Sequence, residues 1–166
     1  MNDSLPITAI ALLPLMGMVA YVGVQHLWLW RGHRDEPLHL WAVGWCANTL
    51  LLLVSHYVQV ATRSPDRAAA WARIAWMSAL LLIPLVIGLV RAVVGARCTP
   101  AFRVLVGIAT AGLLGSLCVP GLLLTARIHA RTDALGYQIW GPVPGPLLPA
   151  LAPVLFVAVG YALTLV

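Results

Sequence analysis

The chain alternates between long apolar stretches and short polar connections. Five stretches are apolar, each 21 to 27 residues long: residues 7–30, 38–60, 68–94, 102–124 and 146–166. A helix needs about 20 apolar residues to cross the hydrocarbon core of a bilayer. Strands of a membrane barrel alternate polar and apolar residues over about ten positions, and these stretches do not. The pattern predicts an all-α fold, with residues 1–166 forming a single domain that is a bundle of five transmembrane helices.

The connections agree with this count. Residues 31–36, 61–67 and 95–100 are short and basic, so consecutive helices are expected to be antiparallel neighbours. The fourth connection is longer. Its first part, residues 126–140, fits a short helix lying in the membrane interface. The sequence Gly-Pro-Val-Pro-Gly-Pro that follows is expected to be extended, because its prolines prevent a helix.

Composition fixes the class of protein. The 166 residues are 61% hydrophobic and 9% charged, against roughly 25% charged in a soluble domain. A disordered chain would be poor in apolar residues. All ten basic residues are arginines and are spread over several loops, whereas a nucleic-acid partner requires a basic patch on one face. We therefore expect the lipid bilayer as a partner and no nucleic acid.

The sequence gives little information about the orientation of the bundle in the membrane. Five arginines fall on each side of the predicted bundle, so the positive-inside rule does not decide. The N-terminal tail holds Asp3 and no basic side chain, which favours an N-terminus outside, and we expect a bacterial inner membrane. The tryptophans lie at two levels near the span ends, as interface anchors do: Trp28, Trp30, Trp41, Trp45, Trp71, Trp76 and Trp140.

Groups for catalysis are missing from the predicted spans. No span interior contains Asp, Glu, Lys or Arg, and the sequence holds no Ser/His/Asp set, metalloprotease motif or phosphate-binding glycine loop. Cys46, Cys98 and Cys118 are scattered and form no zinc motif. We predict no enzyme, no catalytic residue, no metal site and no required cofactor.

Histidine is the remaining candidate for a cofactor ligand. His56 lies about one turn inside the second span, and a single histidine there can ligate a haem or a chlorophyll-type pigment. The alternative is an interhelical hydrogen bond near Ser55 or Gln59. His26 and His39 belong to the opposite side of the membrane, so His26 and His56 are not expected to share one haem.

The fourth span carries a helix-packing pattern. Gly107, Ala111 and Gly115 recur every four residues, which lets a second helix approach closely. A helix of the same chain is favoured as the partner over another subunit. Prolines inside the spans are expected to kink them: Pro14, Pro84, Pro120 and Pro153.

Several aromatic-rich patterns resemble a known family. One span ends in Trp-Leu-Trp-Arg-Gly-His-Arg (residues 28–34), and the next opens Leu-His-Leu-Trp-Ala-Val-Gly-Trp (residues 38–45). A third opens Ala-Trp-Ala-Arg-Ile-Ala-Trp (residues 70–76), with a proline further along, and residues 145–147 read Gly-Pro-Leu. These patterns are similar to the amino-terminal membrane region of seven-helix bacterial sensor histidine kinases. The resemblance implies an external N-terminus and a membrane input domain, although two helices and every kinase motif of that family are missing.

Three functional hypotheses follow. The first is a non-catalytic membrane protein that acts through helix–helix contacts, as a sensor or input module that binds a partner or a small hydrophobic ligand. The second is a small structural accessory subunit of a larger respiratory or photosynthetic membrane complex. The third is a haem- or pigment-binding membrane protein with His56 as the ligand.

Overall fold

The described residues form four helices and a two-stranded ribbon. The computed structural model describes residues 7–62, 64–95, 99–119, 121–122, 124–132 and 138–146, and the single positions 149, 153, 157 and 160. The elements are α1 (Ile7–Gly32), α2 (Pro37–Ala61), α3 (Pro65–Val94), α4 (Pro100–Cys118), β1 (Leu124–Thr132) and β2 (Gln138–Pro144).

Three of the helices are long and apolar enough to cross a membrane, which indicates a membrane protein. The membrane-spanning candidates are Ala9–Gly32 within α1, Pro37–Ala61 and Pro65–Val94. A backbone that is surrounded by lipid must satisfy its own hydrogen-bonding groups, and a helix does so within one segment. The helical class predicted from the sequence is therefore confirmed. Three of the five predicted spans coincide, to within three residues at each end, with helices that are long and apolar enough to cross a membrane.

The predicted fourth span is too long at its C-terminal end. Helix α4 has 19 residues and ends at Cys118, and Leu124 already begins β1. The residue before a proline avoids helical dihedrals, and Val119, which precedes Pro120, is extended at φ −118° and ψ 99°. The expected kink at Pro120 and most of the predicted fifth span lie outside the described residues. Helices α1 and α3 continue through Pro14 and Pro84.

The interfacial helix suggested for residues 126–140 is wrong, because the start of this segment is a strand. Strands β1 and β2 pair antiparallel, with His129 opposite Gly141 and Ala130 opposite Trp140. The prediction that the proline-rich sequence after Trp140 is extended is confirmed, since residues 141–144 belong to β2. Prolines are tolerated in a strand whose outer edge has no partner, as in a two-stranded ribbon.

Helix α2 lies between α1 and α3, and α3 in turn contacts α4 and the ribbon. The buried residues of α2 and α3 are mostly small, among them Ala42, Cys46, Ala72, Ala75 and Ser78. Small residues let helix backbones approach closely, and this close packing takes over the role that hydrophobic burial has in water.

The ribbon is attached to the bundle at the end where α2 stops and α3 starts. Leu124 of β1 is buried in a cluster with Ala72 and Leu80 of α3, against which Leu113 of α4 packs. The side-chain amide of Gln59 donates a hydrogen bond to the carbonyl oxygen of Trp140 at 3.3 Å. This contact connects the last turn of α2 to β2.

Three of the helices begin in the same way. Helices α2, α3 and α4 each begin with a proline, at Pro37, Pro65 and Pro100. Proline suits the first helical position, because its missing N–H would have no partner within the helix there. The hydroxyl oxygens of Ser64 and Thr99 accept hydrogen bonds from the backbone N–H groups three residues later.

Candidate functional site

Two histidines from different helices face each other at one end of the bundle. We call this the first-loop end, defined by residues 33–36 between α1 and α2 and by the last turn of α3. The Nδ1 atoms of His26 in α1 and His39 in α2 are 3.0 Å apart. Their ring centroids are 5.3 Å apart, and the ring planes are tilted by 41°. At this distance one of the two nitrogens donates a hydrogen bond and the other accepts it.

A carboxylate lies on the far side of this pair. Oε2 of Glu36, in the loop, is 3.4 Å from Nε2 of His39. The side chain of His39 is 13% exposed and that of Glu36 is 58% exposed. The imidazole is thus sheltered between the helices, while the carboxylate reaches water. Three side chains therefore form a line that runs from solvent into the contact between α1 and α2: Glu36, His39 and His26.

A groove lies beside this line at the same end. It has a volume of about 240 Å³ and lies between the start of α2 and the end of α3, lined by Pro37, Trp41, Gly88, Arg91, Ala92 and Gly95. The guanidinium of Arg91 lies 4.5 Å from the centre of the Phe102 ring, a cation–π contact that joins α3 to α4. An arginine and a tryptophan in one groove suit an amphiphile with an anionic head and an apolar body.

A polar contact also joins α2 and α3 near the middle of both helices. The side-chain amide of Asn48 donates a hydrogen bond to the carbonyl oxygen of Ser78 at 2.8 Å, and both residues are buried. The hydroxyl oxygens of Thr49 and Ser78 are buried and have no hydrogen-bond partner among the residues that the structure describes. Polar groups at this depth are costly in lipid and fix helix pairing where they are satisfied.

The predicted cofactor ligand lies away from the histidine pair. His56 is exposed on α2, 17 residues after His39 and therefore about 26 Å further along the helix. Ser55 beside it is buried and donates its hydroxyl to the carbonyl oxygen of Leu51 within the same helix at 2.6 Å. Gln59, the other predicted partner of His56, contacts the ribbon.

The predicted helix-packing residues divide into two groups. Gly107 and Ala111 are exposed, and a side chain added at Gly107 would meet no atom within 4 Å. Gly115 is half-buried, and a Cβ there would come within 3.2 Å of the Leu122 side chain. No helix in the described part of the chain covers Gly107 and Ala111, so the partner helix expected from the same chain stays a prediction at these two positions.

The tryptophans are not equivalent. Trp28 is 75% exposed and Trp76 is 40% exposed, and Trp76 lies near the middle of α3 rather than at its end. Trp30, Trp41, Trp45, Trp71 and Trp140 are half-buried. The ring of Trp41 packs directly over Gly88, where any side chain would overlap it. Trp41 is therefore part of the α2–α3 contact and also lines the groove.

Sequence reasoning placed His26 and His39 on one side of the membrane but did not pair them. The available signal is their spacing, since both lie within six residues of the connection between two antiparallel helices. It also overlooked Asn48, a carboxamide in the centre of an otherwise apolar span. No known protein family, curated protein or solved structure matches this chain.

Proposed function

We propose that the chain is a non-catalytic, multi-spanning membrane protein that acts through helix–helix contacts, in the manner of a membrane sensor or input module. The observation that carries the proposal is that two small residues of α4, Gly107 and Ala111, are covered by none of the described residues. The opposite face of α4 is already used, because Leu105 and Ala109 are buried within the chain. A face of small residues gives a lipid chain little to contact, but it lets another helix approach closely.

The groove at the first-loop end supports the input role. Trp41 supplies an apolar wall and Arg91 a positive charge, which suit the apolar chain and the anionic head of a lipid or a fatty acid. A small amphiphile seated there would contact both α2 and α3. Its binding is transmitted to α4 through the contact between Arg91 and Phe102.

The same α4 face supports a second candidate, a structural accessory subunit of a larger respiratory or photosynthetic complex. Helix α1 strengthens this alternative, because it exposes large apolar residues such as Leu13, Met18 and Val24. Its main neighbour among the described elements is α2. The haem or pigment alternative rests on His56, whose exposed position requires a cofactor that projects away from the bundle or is shared with another chain.

The first experiment tests the α4 face. Ala111→Leu adds three carbon atoms to this face, and Ala47→Leu adds the same atoms at an exposed position of α2. Both variants are extracted from native membranes in mild detergent, and their assemblies are separated on native gels. We expect the parent chain and Ala47→Leu to migrate in an assembly that Ala111→Leu loses. A parent chain that migrates as a monomer contradicts the proposal.

A second measurement separates the two candidates. Stoichiometric co-purification with a large complex supports the accessory subunit, and mass spectrometry of the same fraction identifies its other members. Thermal stabilisation of the purified chain by fatty acids, quinones or lipids supports the input module. A Soret or Q-band in the absorbance spectrum supports the haem or pigment alternative, and a colourless sample excludes it.

A further inference from the structure

We propose that His26 and His39 together bind a late first-row divalent metal ion, zinc or copper, at the first-loop end, with Glu36 as a positioning residue. The two imidazoles come from different helices and present the same atom to each other, Nδ1 to Nδ1, at 3.0 Å. Imidazole nitrogen is the ligand that both ions share. The proposal departs from the expectation that the chain has no metal site, which rested on motif spacing alone.

The distance between the two nitrogens suits a shared ion. A metal–imidazole bond is about 2.0–2.1 Å long, so two neighbouring ligands hold their nitrogens about 2.8 to 3.4 Å apart for bond angles between about 90° and 110°. The observed 3.0 Å lies inside this range. The two helices therefore already hold the Nδ1 atoms at the separation that a shared ion requires.

Glu36 gives His39 the surroundings of a metal ligand. A histidine that binds a metal through one nitrogen usually donates its other ring N–H to a carboxylate or a carbonyl, which fixes the tautomer. Oε2 of Glu36 lies 3.4 Å from Nε2 of His39, on the side of the ring away from His26. With the hydrogen on Nε2, the lone pair of His39 is on Nδ1 and faces His26.

The remaining coordination positions are open. Among the residues that the structure describes, no three His, Cys, Asp or Glu side chains are grouped closely enough to hold an ion. Two protein ligands leave the other positions to water or to an external ligand, as in metal sites with an exchangeable position. An ion at this site connects α1 to α2, so it stabilises the pairing of the first two helices.

The experiment uses the full chain in lipid nanodiscs, purified without an oligohistidine tag. Zinc binding is measured by titration calorimetry, and copper(II) binding by electron paramagnetic resonance, in which each bound imidazole nitrogen splits the signal. We expect one ion per chain and splitting from two nitrogens. His26→Ala and His39→Ala are each expected to weaken binding at least about tenfold, and Glu36→Gln about tenfold, the lower end of the usual effect of such groups.

His56→Ala is the matched control, because it removes an imidazole from α2 far from the pair, and it should bind like the parent chain. Thermal unfolding without metal shows whether each variant is folded. Zinc should raise the unfolding temperature of the parent chain and of His56→Ala, but not of His39→Ala. Where copper binds to the parent chain, splitting of its signal by fewer than two nitrogens overturns the proposal, even where a variant fails to fold; binding of neither ion also overturns it. Unchanged zinc affinity in His26→Ala or His39→Ala also overturns it. Binding of copper without zinc, or the reverse, identifies the ion.

Discussion

The α2–α3 pair and α4 use small residues in opposite ways. On α3, Gly88 is buried beneath the ring of Trp41, and on α2, Gly44 would place a Cβ 3.1 Å from the Leu85 side chain. On α4, Gly107 faces open space. Glycine thus allows a tight contact within the chain in the α2–α3 pair. On α4, Gly107 is a position that no described residue covers. A glycine in a membrane helix indicates a close approach only where a partner is present, and the described part of this chain provides none at Gly107.

The largest difference in stability should appear when a methyl group is added to a glycine of the α2–α3 pair and, separately, to a glycine of α4. Gly88→Ala drives a Cβ into the indole of Trp41, whereas Gly107→Ala meets nothing within 4 Å. Overpacking of this kind costs about 1–3 kcal/mol. We expect Gly88→Ala to lower the unfolding temperature in detergent and Gly107→Ala to leave it unchanged or higher. Replacing Trp41 by Phe in the Gly88→Ala background should restore part of the loss, and equal effects of the two glycine variants would refute the comparison.

A second test replaces the polar contact of the α2–α3 pair. Asn48→Leu removes the hydrogen bond to the Ser78 carbonyl oxygen, and interhelical bonds of this kind contribute about 0.6–2 kcal/mol. The control is Thr110→Val on α4, where the hydroxyl donates only to the Val106 carbonyl oxygen of its own helix. We expect Asn48→Leu to be destabilised and Thr110→Val to be close to the parent chain in the same unfolding assay. A neutral Asn48→Leu would show that packing alone holds α2 to α3.

The smallest effect is expected in α1. A Cβ at Gly23 would lie 3.0 Å from Cβ of Cys46, so a small shift of α1 relieves the contact, and at Gly17 there is no neighbour within 4 Å. Alanine is favoured over glycine in a helix interior by about 0.5–1 kcal/mol. Gly17→Ala should therefore be slightly stabilised, and Gly23→Ala should lie below it by under about 1 kcal/mol. If Gly23→Ala is as stable as Gly17→Ala, the α1–α2 contact is loose at this position.

The sequence predicts the helices well because lipid imposes one solution on a long apolar segment. The predicted span 7–30 corresponds to Ile7–Gly32, and 38–60 corresponds to Pro37–Ala61. The ribbon was missed although residues 124–131 alternate apolar and polar side chains, with Leu124 buried and His129 exposed. This period-two pattern is typical of a strand. It was not used because the surrounding sequence is apolar enough to indicate membrane helices.

The contact between the two histidines cannot be predicted from the periodicity of the sequence. Whether His26 meets His39 depends on how far α1 and α2 slide past each other, and packing such as that of Gly23 on Cys46 sets this register. The orientation of the small-residue pattern on α4 is hidden for the same reason. Its spacing is visible in the sequence, but which face of α4 is turned toward α3 depends on tertiary contacts such as that of Phe102 with Arg91.

The prolines that open α2, α3 and α4 restrict how the bundle can move. A helix that begins at a proline does not lengthen backwards by winding in loop residues, because the position before proline disfavours helical dihedrals. The residue at which each of these helices begins is therefore fixed by the chain itself. Any motion of α2, α3 or α4 moves a helix of constant N-terminal limit, with the loop before it unchanged in length.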